Sequence, residues 1–189
     1  MDAAKSGTRP YRLGAFVDGV GWVEHEYGRV WERQPERLAI APDTGHVSLL
    51  LSFSDELEEP FHIEYFLLVP RSEEDEEGCF ELASPLSRTD LQVFLRRYRQ
   101  LFEEDGRHHL QVSAPASDAT ILYDQHNVIY ASGPLQRFER VLGESDIPEG
   151  VLEFPSPHSH HYHEELDVML DDMFERYEWR RHPLDVGID

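Results

Sequence analysis

The β-prone runs of this chain lie next to one another, and that adjacency limits the folds open to it. Residues 11–17, 21–23, 27–31, 37–41 and 46–53 read as successive strands. They are cut by Asp18-Gly19, Gly28 and Pro42-Asp43-Thr44-Gly45, whose Pro, Gly and Asp suit tight turns. Residues 61–69 form a further strand, and their apolar stretch from Tyr65 to Val69 suits burial on both faces. Residues 109–113 return as a strand. Residues 120–124 and 128–131 flank Gln125-His126-Asn127 as a compact hairpin. Residues 150–154 make a last short strand.

Helical spacing is confined to three places. Ser87 and Asp90 start one helix with a capping-box pattern. Leu91, Phe94, Leu95, Tyr98, Leu101 and Phe102 then recur on one face, and Gly106 ends it. Leu135, Phe138, Val141 and Leu142 follow Pro134 in a second helix. Leu166, Met169, Leu170, Met173, Phe174 and Tyr177 mark a third, from about His163 to Trp179, with acids in its first turn and Arg180-Arg181 beyond its end. Strands that adjoin rather than alternate with helices predict an α+β fold: a mostly antiparallel sheet with about three helices packed on one face. No phosphate-binding glycine motif argues for a doubly wound sheet. One domain over residues 1–189 is expected, with 1–10 flexible and 180–189 a C-terminal tail.

Charge sets the class of partner. The 38 acids against 17 bases leave a formal charge of −21. Such a surface repels nucleic acid and anionic lipid, whose binding depends on Lys and Arg. It suits a protein partner with a basic face. Residues 71–78 carry five of the acids and read as a solvated loop. The lone Cys79 excludes an internal disulfide and a thiolate zinc site. The first ten residues lack an apolar stretch of the signal-peptide kind, and no apolar run approaches the ~20 residues that span a bilayer. The cytoplasm is the simplest location.

One segment has the look of a site. His158, His160, His161 and His163 fall within six residues, and Glu164 and Asp167 follow them. Imidazole is the side chain most often recruited to metals and to proton transfer near neutral pH. If the last helix begins near His160, a rotation of 100° per residue gathers His160, His163, Glu164 and Asp167 on one side. His163 and Asp167 would then share an ion, or the acid would orient the ring. His108, His109 and His126 could complete a shell. Such nitrogen and oxygen donors suit zinc or a similar divalent transition metal, with Glu164 as the base acting on a bound water. The zinc-hydrolase pattern H-E-x-x-H is absent, because Asp167 stands where its second His would be. Tyr123, Asp124, His126 and Asn127 cluster at the hairpin tip, where Asp and Asn also serve turn geometry.

Two readings follow. The leading one is a non-enzymatic protein-binding module with no cofactor, able to form a homodimer. The rival is a metal-dependent, hydrolase-like enzyme that uses the histidine run.

Overall fold

The computed structural model describes residues 10–71 and 77–184. Residues 1–9 and 185–189, and with them most of the two expected tails, lie outside the described residues, as does most of the acidic loop. In chain order the strands are β1 (Leu13–Val17), β2 (Gly21–Glu24), β3 (Val30–Arg33), β4 (Arg37–Ala41), β5 (His62–Leu67), β6 (Gly78–Leu82), β7 (His108–Ala114), β8 (Ala119–Tyr123), β9 (Ile129–Ser132), β10 (His158–His160) and β11 (Trp179–His182). The helices are α1 (His46–Asp55), α2 (Arg88–Arg97), α3 (Arg99–Glu104), α4 (Leu135–Glu144) and α5 (Asp167–Arg176). This is an α+β fold. Its larger sheet has the order β11-β6-β5-β7-β8-β9-β4-β3, and a smaller one has β10-β1-β2; every paired strand is antiparallel.

Strand alternation separates two cores. Leu38 and Ile40 of β4 enter the main cluster, which takes buried residues from all five helices. Ala39 and Ala41, on the opposite pleat, join Leu13, Tyr27 and Val128 in a second, smaller cluster. Leu13 belongs to β1, so the small sheet meets the large one through this second core. Phe53 of α1 and Phe138 of α4, both fully buried, pack with ring centroids 4.8 Å apart.

Several elements differ from expectation. Residues 46–53 are helical, not a strand. Gly45, at φ 75°, turns the chain out of the Pro42-Asp43 segment, and Val47, Leu50 and Ser54 then fall inward with Leu49 and Phe53. Residues 150–154 form no strand, and Val151 there is 75% exposed. The last helix is shorter than its apolar spacing suggests. A 3-10 turn over Glu164–Leu166 precedes α5, and Trp179 lies in β11, opposite Leu82. Its indole N–H donates to the Met173 carbonyl at 3.2 Å, which folds the strand back on the helix. Residues 180–182 are therefore sheet rather than tail. The Ser87 cap holds, with its hydroxyl accepting from the Asp90 N–H at 3.2 Å, but the helix that it starts breaks at Tyr98.

Candidate metal centre

The β8–β9 connection is a turn built around one carboxylate. Asp124 is 6% exposed. Its Oδ1 accepts the N–H groups of His126 at 2.9 Å and Val128 at 3.0 Å. Asn127 takes a φ of 61°, which Asn tolerates better than most residues, and its side-chain oxygen accepts the Tyr123 hydroxyl at 2.9 Å. The other carboxylate oxygen, Oδ2, lies 2.9 Å from Nδ1 of His126. Burial alone would raise this carboxyl's pKa. The contacts with His126, the Val128 N–H and the charge of Arg12 outweigh burial and hold it below the ordinary value.

The histidine run meets this turn as a strand. Ala15 pairs with His158 and Leu13 with His160. Two residues apart on a strand, His158 and His160 share one face, while Ser159 and His161 take the other. The ring centroids of His126, His158 and His160 are 4.9 to 5.5 Å apart. One ligand nitrogen from each can be chosen so that all three lie within 4.8 Å of one another. Tetrahedral zinc, with Zn–N bonds of about 2.05 Å, needs nitrogens about 3.4 Å apart. Side-chain adjustments of an ångström or so would close that gap.

Hydrogen bonds set which nitrogen of each ring is free. A carboxylate only accepts, so Nδ1 of His126 carries its proton toward Asp124 and Nε2 keeps the lone pair. Nδ1 of His158 donates to the Pro155 carbonyl at 3.0 Å and again leaves Nε2. Nδ1 of His160 is buried without a partner. Burial, then the neighbouring His126 and His158, lowers the His160 pKa to about 4, so this ring is neutral at pH 7. A carboxylate-oriented histidine beside two further imidazoles is ligand chemistry suited to zinc and its divalent neighbours.

The other expected residues lie elsewhere. His161 turns toward β1, where a Cβ on Gly14 would sit 2.7 Å from its Nε2, so only glycine leaves it room. Its backbone N–H donates to the Arg12 carbonyl at 3.0 Å and its carbonyl accepts from Gly106 at 2.9 Å. His163 donates from Nε2 to the Tyr11 carbonyl at 2.8 Å, and its Nδ1 lies 3.6 Å from Glu165. Asp167 accepts both Nε and Nη2 of Arg71, at 3.0 and 2.9 Å, and Nη2 of Arg107 at 2.6 Å. It is an ion-pair partner of arginines, not of His163. Glu164 is exposed in the 3-10 turn. The shared face assumed for His160, His163, Glu164 and Asp167 required a helix where the chain is extended. His108 and His109 sit in β7, buried; His108 stacks on Tyr65 at 4.9 Å and is neutral, its pKa held well below normal by burial. Asp124, which orients His126, belongs to the hairpin-tip cluster of the sequence, where its turn geometry is the plainer signal and its place beside His158 and His160 has no local sign.

Comparison with models of known families, with curated proteins and with solved structures found no match for this chain.

Proposed function

We propose that this protein binds a divalent transition-metal ion, zinc by ligand chemistry, through Nε2 of His126, Nε2 of His158 and Nδ1 of His160. The observation that carries the reading is the convergence of three imidazoles, two with a hydrogen-bonded Nδ1–H and the third with an unpartnered buried Nδ1. Asp124 supports it as the group that fixes the His126 tautomer. The ion would join the β8–β9 turn to β10 and so tie the small sheet to the large one. We further read the helices as gathered on the Leu38–Ile40 face of the large sheet, with the small sheet and the histidines on the other.

The test is calorimetric titration of the chelator-stripped full chain with zinc. One equivalent should bind, and His160→Asn should abolish that binding. Absence of binding in the unaltered chain refutes the reading.

A second reading, a protein-docking role, draws on a specific feature. Phe16, Val17, Val20 and Trp22 are 42 to 70% exposed around the β1–β2 hairpin, and Phe16 and Trp22 pack edge to face at 5.6 Å. Apolar side chains grouped this way on an acidic protein suit a protein surface better than an anionic membrane. β2 is also an outer strand of its sheet, an edge that a second copy could extend. Among the described residues no helix is long and apolar enough to cross a membrane. Phe16→Ser with Trp22→Ser should weaken capture of a partner while leaving zinc binding intact.

A further inference from the structure

On the basis of the zinc reading above, we infer that the ion is catalytic: it hydrolyses neutral carboxylic esters, with the Phe154 ring as the surface that receives the acyl group.

The first ground is the ligand count. Structural zinc sites are closed by four protein ligands, whereas catalytic ones keep a position for water. Among the described residues, the group able to hold an ion has three members, His126, His158 and His160. All three are neutral donors, so the ion keeps its full charge for polarising a carbonyl and a bound water. His158 is exposed and its two partners are partly exposed, so the group meets solvent.

The second ground is what stands beside it. The Phe154 ring lies 5.7 Å from that of His126, edge to face, and is 46% exposed. It is backed by Tyr27, with ring centroids 6.3 Å apart. The segment is held in place despite its lack of regular structure. Gly150 donates to the Trp31 carbonyl at 2.8 Å, and Leu152 to Glu32 Oε2 at 2.9 Å. Leu152 packs on the second core, while Val151 before it stays exposed. An anchored, solvent-facing aromatic ring next to metal ligands is a place for an apolar group.

The third ground is charge. A chain of formal charge −21 disfavours phosphate esters and other anions. An ester carbonyl is neutral and asks little of the protein. With an ion held by the three histidines, the oxygen of a water would add to the acyl carbon and the carbonyl π pair would move onto the carbonyl oxygen, the ion supplying the positive charge that favours both. Collapse then breaks the acyl–oxygen bond. The alcohol leaves with the proton that the water gave up, and the sum is ester plus water to acid plus alcohol.

The experiment uses the zinc-loaded full chain with p-nitrophenyl acetate and p-nitrophenyl butyrate, and zinc content is measured on the same samples. Hydrolysis should exceed that of an equal concentration of free zinc and should stop in His158→Asn. Butyrate should exceed acetate in kcat/KM by about fourfold, the value of roughly one buried methylene. In Phe154→Ala, and to a lesser degree in Phe154→Val as a second and gentler variant, that ratio should fall toward one at unchanged zinc content. A chain that carries one zinc yet hydrolyses no faster than free zinc overturns the inference and leaves the binding reading standing. So does hydrolysis whose acyl preference both variants preserve. A chain that carries no zinc overturns both.

Discussion

Asp124→Asn separates the orienting role of the carboxylate from its role in the turn. The amide keeps an oxygen at the Oδ1 position, so the N–H groups of His126 and Val128, 2.9 and 3.0 Å away, retain their acceptor. The side-chain nitrogen replaces Oδ2, 2.9 Å from Nδ1 of His126. A donor there favours the tautomer with a lone pair on Nδ1 and the proton on Nε2, the nitrogen that the ion needs. Loss of such an orienting partner costs about 10- to 100-fold in metal affinity, or about 1.4 to 2.8 kcal/mol. Zinc affinity measured by competition with a chromophoric chelator should fall by that factor. Thermal melting in excess chelator should change by only a few degrees, because the turn survives. An unchanged zinc affinity would refute the assignment of Asp124 as the group that orients His126.

Other perturbations test the frame around the site. Phe138→Ala removes a fully buried ring packed 4.8 Å from Phe53 and should cost about 3–5 kcal/mol in urea unfolding. Asp105→Asn takes the bidentate partner from Arg107, whose side chain is 3% exposed beside a fully buried carboxylate, and should cost about 3 kcal/mol, since Asp167 still accepts from Arg107. Burial lowers the pKa of His46 and of His109 from 6.5 to about 4, so folding favours their neutral forms. The stability that they contribute is complete above pH 6.5 and is lost as pH falls toward 4. At pH 5 the loss is about 2 kcal/mol for each, seen as a lower urea midpoint than at pH 7; an unchanged midpoint would contradict their burial as neutral rings.

The α+β class, the antiparallel order and the Ser87 cap were legible because each rests on local pattern. Residues 46–53 were misread because Leu49-Leu50-Leu51 suits either period, and the helix starts at a left-handed glycine rather than a polar cap. The histidines show the same limit more sharply. Their spacing suits helical period, yet the chain bends at Ser156-Pro157 and β1 then takes His158–His160 as an edge partner. Period two unites His158 with His160 and parts them from His161. His126 was visible as a histidine that could complete a shell. That its turn closes on β10 depends on the second core of Leu13, Tyr27 and Val128, a tertiary contact with no local signature.

The most direct test is an anomalous difference map at the zinc absorption edge from crystals of the full chain grown with one equivalent of zinc. The account predicts one peak bonded at about 2.0–2.1 Å to Nε2 of His126, Nε2 of His158 and Nδ1 of His160. A peak at His161, His163 or Asp167 instead, or no peak at all, would contradict it.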